Sequence, residues 1–141
     1  MAILVQQTLD ECINCKPVVV SVGRHTLYKR RWRAQAEDGV ELAINLNEPV
    51  EDGALLSSEN GVIYKVQQVK EDVIIIPLPD STEMSAKLGW YLGNQHLPVE
   101  VRADSIVVEH IKTLLAALNR IGIPYTLSNQ VFHCKMHSHQ H

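Results

Sequence analysis

No apolar run in this chain approaches the roughly 18 residues that a membrane-spanning helix requires. Met1-Ala2-Ile3-Leu4-Val5 has neither the charged start nor the length of a signal peptide, so a cytoplasmic chain without membrane contact is expected. Cysteine is scarce: three cannot all pair within one chain, and Cys12-Ile13-Asn14-Cys15 has no second pair with which to close a zinc site. Two thiols in a reducing compartment are the expectation there. Basic residues are not in excess, 13 against 16 acidic for a formal net charge of −3, so binding driven by phosphate neutralisation has no support and no nucleic-acid partner is expected. The chain also lacks a Gly-rich phosphate loop, a Gly-x-Ser-x-Gly elbow and a His-Glu-x-x-His motif, and its carboxylates do not gather in sequence around His96. A protein without catalysis of its own follows.

What the sequence does hold is 45% apolar composition over 141 residues, enough for one core or two small ones, without internal repeats or low-complexity linkers. In the first half short strands alternate with turn signals. Val40, Leu42, Ile44 and Leu46 recur at period two, as do Val62, Tyr64 and Val66, between the turns Asp38-Gly39, Asp52-Gly53 and Asn60-Gly61. This predicts a small antiparallel sandwich or barrel-like module over residues 1–78. After Val73-Ile74-Ile75-Ile76 the period changes. Asp80 with Glu83 reads as a capping box, followed by Met84, Leu88, Tyr91 and Leu92 at helical spacing. Two short strands over Pro98 to Arg102 and Ser105 to Glu109 precede a second helix carrying Ile111, Leu114, Leu115, Leu118 and Ile121, and Tyr125 to Phe132 offers a last strand. With the Ile74 run as first strand the order is βαββαβ, the ferredoxin-like pattern with both helices on one sheet face. The expected fold is therefore α+β: an all-β domain over 1–78, a ferredoxin-like domain over 79–132 and a flexible tail over 133–141.

Lys29, Arg30, Arg31 and Arg33 surround Trp32. Such a cluster reads as the solvated face of an edge strand, where positive charge discourages strand pairing between molecules, and beyond that as a protein contact.

The chemistry concentrates at the end. His133-Cys134-Lys135-Met136-His137-Ser138-His139-Gln140-His141 holds four of the seven histidines with a thiol and a thioether, and no apolar periodicity. Neutral imidazole binds divalent Ni, Cu and Zn, and sulfur adds soft donors, so His133, Cys134, His137, His139 and His141 are candidate ligands. An expression tag would be an unbroken histidine run, whereas this one is interrupted. His96 is a second candidate: Gly93-Asn94 can unwind the preceding helix and Pro98 bars its continuation, which fixes His96 at a corner. Its bland reading is a helix-end cap. His25 reads as a surface histidine.

Gly89-Trp90-Tyr91-Leu92-Gly93-Asn94-Gln95-His96-Leu97-Pro98-Val99 resembles the Leu-Gly-Asn-Arg-His-x-Pro signature of the urease accessory metallochaperones, the UreE family. Glu109-His110-Ile111 is similar to that family's Asp-His-Val, and a histidine-rich end is typical of it. The resemblance implies a cytoplasmic homodimer that delivers nickel to apo-urease, with an N-terminal peptide-binding domain and a ferredoxin-like metal domain. It implies as partners the urease apoprotein complex and its accessory GTPase. His96 from each subunit would meet at a shared nickel site on the two-fold axis, fed by the tail histidines, with His110 as a further ligand. Departures stand beside this. Gln95 replaces an arginine, Lys112 stands where some members place a second histidine, and of the family's Pro-aromatic stretch before the tail only Pro124-Tyr125 is recognisable. Two readings compete with nickel delivery: copper or zinc binding or buffering by the same donors, and a scaffold that holds urease accessory proteins together.

Overall fold

The computed structural model describes residues 2–134. The fold is α+β, and the chain divides into two compact units between Val69 and Lys70. The expected boundary after Leu78 is too late. Residues Glu71–Pro77 form a strand whose hydrogen-bonded partners all come from the second half, and pairing rather than the flanking prolines decides where the unit begins.

The first unit contains β1 (Ile3–Leu9), β2 (Val18–Val22), the short α1 (Arg24–Leu27), β3 (Arg31–Gln35), β4 (Glu41–Asn45), β5 (Leu55–Ser58) and β6 (Ile63–Gln68). Period two holds: Leu42, Ile44, Tyr64 and Val66 are buried in one core while Glu41, Asn45, Lys65 and Gln67 face solvent. Gly39, Gly53 and Gly61 take positive φ, and Asp38, Asp52 and Asn60 before them accept backbone N–H groups from Val40, Gln68 and Val62. The sheet order is β2-β6-β5-β1-β4-β3. It is mixed rather than antiparallel, because β1 pairs parallel with β4 and β2 parallel with β6. Sequence reasoning did not anticipate β1; an irregularity in its pairing with β5 between Val5 and Gln7 breaks the alternation that would reveal it. The two edges approach each other, with the Glu37 N–H donating to the Val19 carbonyl at 2.9 Å, and the sheet curls as a barrel-like module should. Trp32 is buried on edge strand β3 while Arg31 and Arg33 are exposed on it.

In the connection from β1 to β2, Cys12 and Cys15 are joined as a disulfide, with Asn14 at φ 59 between them, in place of the two expected thiols. Cysteine usage therefore lends no support to a reducing compartment. No helix among the described residues is long and apolar enough to cross a membrane.

The second unit contains β7 (Glu71–Pro77), α2 (Thr82–Asn94), β8 (Val99–Val101), β9 (Ser105–Glu109), α3 (Lys112–Ile121) and β10 (Thr126–Gln130). The order is βαββαβ, and the strands lie β10-β7-β9-β8 with every pair antiparallel. Both helices pack on one face: Leu88 and Leu92 of α2 and Leu114 and Leu118 of α3 are buried with Ile74, Ile76, Ile106 and Val108. Each such side chain contributes on the order of 2 kcal/mol. Alternate residues Val73 and Val107 point to the helix-free face, where Phe132 is 1% exposed against them. Met84, expected in the helix stripe, is instead 50% exposed. α3 ends on Gly122 at φ 76.

Candidate metal centre

Helix α2 runs one residue out of step with the expected capping box. Ser81 is the N-cap, its Oγ accepting from the Met84 N–H at 2.9 Å. At the other end Gly93 stays in the helix. The residue that turns the chain is His96 itself, at φ 58, with its N–H donating to the Gly93 carbonyl at 3.0 Å. Glycine is the usual occupant of that left-handed position, and a side chain there costs about 1 kcal/mol or more. Leu97 packs with Leu92 in the helix-side core and Pro98 follows, so the corner is held from both sides while the His96 side chain stays exposed.

Strand register places a second histidine at the same end of the sheet. Val99 pairs with Val108, so the chain entering β8 from His96 lies beside the chain leaving β9 toward His110. The His110 N–H donates to the Asp72 carbonyl at 3.3 Å, at the start of β7, and the side chain is exposed.

The candidate ligands beyond β10 do not begin as a loose tail. Val131 to Cys134 cross the helix-free face: Phe132 is buried on Val73 and Val107, and Cys134 is half-buried against the same cluster. The His133 N–H donates to Glu100 Oε1 at 2.8 Å on β8, the strand at the opposite edge from β10. Arg102 donates from Nε to Glu100 Oε2 at 2.9 Å and from Nη1 to Gln130 Oε1 at 3.0 Å. Burial pushes the Glu100 carboxyl up, but the hydrogen bonds from Arg102 and from the His133 N–H more than offset it and hold the group below the usual carboxylate range. The expected tail over 133–141 is thus too long at its start, because an aromatic anchor and a half-buried carboxylate fix residues up to Cys134. His137, His139 and His141 lie outside the described residues. Sequence reasoning missed Glu100 and Phe132; the one signal was the chain's single phenylalanine placed immediately before His133.

Among the described residues no three His, Cys, Asp or Glu side chains converge on one point. His96 and His110 share an end of the sheet, and neither belongs to a group of three such residues. His25 is exposed and meets the Tyr28 ring edge-on at 5.8 Å, as a surface histidine would.

One face of α2 is left bare. Ala86, Gly89, Trp90 and Gly93 fall at helical spacing and are all exposed, Trp90 at 70%. Neither Gly89 nor Gly93 needs to be glycine for its own chain, since a Cβ at either would meet nothing within 4 Å, yet each costs the helix roughly 0.5–1 kcal/mol.

A family model described as "UreE urease accessory protein, C-terminal domain" matches residues 71–141. Curated relatives named urease accessory protein UreE include that of Burkholderia thailandensis, 30% identical over 106 residues that cover 74% of this chain and 49% of the relative. That of Beijerinckia indica is 27% identical over 116 residues, 76% of this chain and 66% of the relative. That of Ralstonia nicotianae is 33% identical over 100 residues, 70% and 47%. The chain spans about half the length of the Burkholderia and Ralstonia relatives.

Proposed function

The chain belongs to the UreE family of urease accessory proteins, and from that premise we propose that it is a nickel-binding metallochaperone, a homodimer that delivers nickel to apo-urease in the cytoplasm. The observation that carries the reading is His96, an exposed imidazole kept at positive φ where glycine would relieve the backbone. Strain of this kind persists where the side chain is needed.

A single imidazole does not hold an ion tightly, and among the described residues no group of three or more His, Cys, Asp or Glu forms within one chain. A two-fold axis supplies the second donor, because it brings each residue near it to its own copy. The bare face of α2 fits that role: Gly89 and Gly93 permit close approach of another helix, Trp90 offers apolar surface, and His96 lies just past the end of the same helix. His110, at the same end of the sheet, and the donors from His133 onward then take part in passing the ion to and from the axis. In this reading residues 70–134 are the ferredoxin-like metal-binding domain. The first unit is the peptide-binding domain, with the urease apoprotein complex and its accessory GTPase as partners. The protein carries nickel as cargo and catalyses no reaction.

Nickel titration with mass measured at the same time tests this. The expected result is a dimer whose tightest site holds one ion between two chains, is lost in His96→Ala, and releases its ion on acidification, because imidazole coordinates only when neutral. A monomer both with and without nickel would sink the shared site. Copper or zinc at the same donors is the alternative favoured by the Cys134 thiol beside His133, and competition among the three metals separates the readings.

A further inference from the structure

We propose that Cys12 and Cys15 form a redox-gated site for one soft monovalent cation, Cu(I), in the first unit. The proposal is independent of the nickel reading, since His96 and His110 belong to the second unit.

The two residues are 5.9 Å apart at Cα across the turn Cys12-Ile13-Asn14-Cys15. Ile13 is 79% exposed and Asn14 is exposed, while both cysteines are half-buried, so the turn that carries the pair is open to a small reductant or ion. A disulfide here does little for stability. The ring it closes spans a sequence separation of only 3, and restriction of the unfolded chain grows with the size of the loop closed. A bond with little structural purpose at an accessible turn points to chemistry at the sulfurs.

Reduction by a dithiol breaks the Sγ–Sγ bond and forms a disulfide in the reductant; the reductant's two electrons and two protons leave Cys12 and Cys15 as thiols. Binding of Cu(I) then displaces both thiol protons to solvent and forms two Cu–S bonds. The donor count selects the ion. Among the described residues no third His, Cys, Asp or Glu joins the pair, so the four-donor demand of zinc is unmet, whereas Cu(I) accepts two thiolates and is favoured by soft sulfur. Oxidation closes the site, because a disulfide offers no thiolate.

The test uses the full-length chain in two states, as prepared in air and after reduction with a phosphine that is then removed under nitrogen. Iodoacetamide with mass measurement should mark Cys134 alone in the first state and all three cysteines in the second. Each state is titrated with Cu(I) against excess bicinchoninate, a coloured competitor. The reduced chain should retain one more Cu(I) than the oxidised chain, and Cys12→Ser or Cys15→Ser should abolish the difference. Because the comparison is between two states of the unsubstituted chain, it stands even if a serine variant folds poorly. Equal retention in the two states overturns the proposal, as does a chain that keeps three alkylatable thiols in air.

Discussion

The His133 N–H donates to Glu100 Oε1 at 2.8 Å, and this hydrogen bond ties the segment that leaves β10 at one edge of the sheet to β8 at the other. Glu100 is held in turn by Arg102, whose second arm reaches Gln130. A carboxylate so engaged couples the anchoring of the segment to pH.

The sign follows from the lowered pKa of the Glu100 carboxyl in the folded state. A carboxyl held below its usual value stabilises the fold at pH above the unfolded value and loses that contribution as pH falls through the folded one. Glu100→Gln should cost on the order of 1 kcal/mol at neutral pH. The gap in thermal midpoint between wild type and variant should stay constant above pH 5 and narrow in more acidic solution. A gap that widens on acidification would contradict the assignment.

At His96 stability and function should separate. His96→Gly removes both the imidazole and the strain of φ 58, so its thermal midpoint should equal or exceed that of wild type, while His96→Ala keeps the strain and should be less stable than the glycine variant by about 0.5–1 kcal/mol. Both should lose the tightest nickel site in calorimetric titration. A glycine variant markedly less stable than wild type would show that His96 supports the fold through contacts and not through its donor atom.

The bare face of α2 gives opposite expectations for folding and association. Gly89→Ala and Gly93→Ala should each stabilise the isolated helix by roughly 0.5–1 kcal/mol. If a second copy packs there, the added methyls and Trp90→Ala should weaken the dimer severalfold in sedimentation equilibrium. Unchanged association in all three variants would move the interface elsewhere.

Truncation should depend on where it is made. Removal of residues 135–141 leaves Phe132 on Val73 and Val107 and should lower the ions bound per dimer without changing the thermal midpoint. Removal from Phe132 onward uncovers that face, and loss of a buried phenylalanine costs about 3 kcal/mol. Equal midpoints for the two truncations, read by circular dichroism, would show that the crossing segment stabilises nothing.

Much of this was legible in the sequence, for identifiable reasons. The alternation of Leu42 and Ile44, the Asx-Gly turns and the stripe from Leu114 to Leu118 report local periodicity, and each landed in the element it predicted. The corner at His96 was legible too, although the sequence pointed to Gly93 as the residue that leaves the helix; glycine tolerates a left-handed turn but does not compel one. Tertiary pairing was not legible. β1 finds a parallel partner in β4 and carries an irregularity between Val5 and Gln7, so neither its direction nor its period could be read from Ile3 to Leu9 alone. The role of Glu100 was hidden likewise, because its partner His133 is 33 residues away and the bond exists only once Phe132 has crossed the sheet.

Anchoring as far as Cys134 also sets a local concentration. The seven residues from 135 to 141 carry three imidazoles, and their contour confines those groups within about 25 Å of Cys134, a volume in which three groups amount to on the order of 0.1 M. If the chain swung from Gln130 instead, the accessible sphere would be roughly fourfold larger and the donors correspondingly more dilute. A phenylalanine and a glutamate thereby set the concentration of three imidazoles that neither of them touches in sequence.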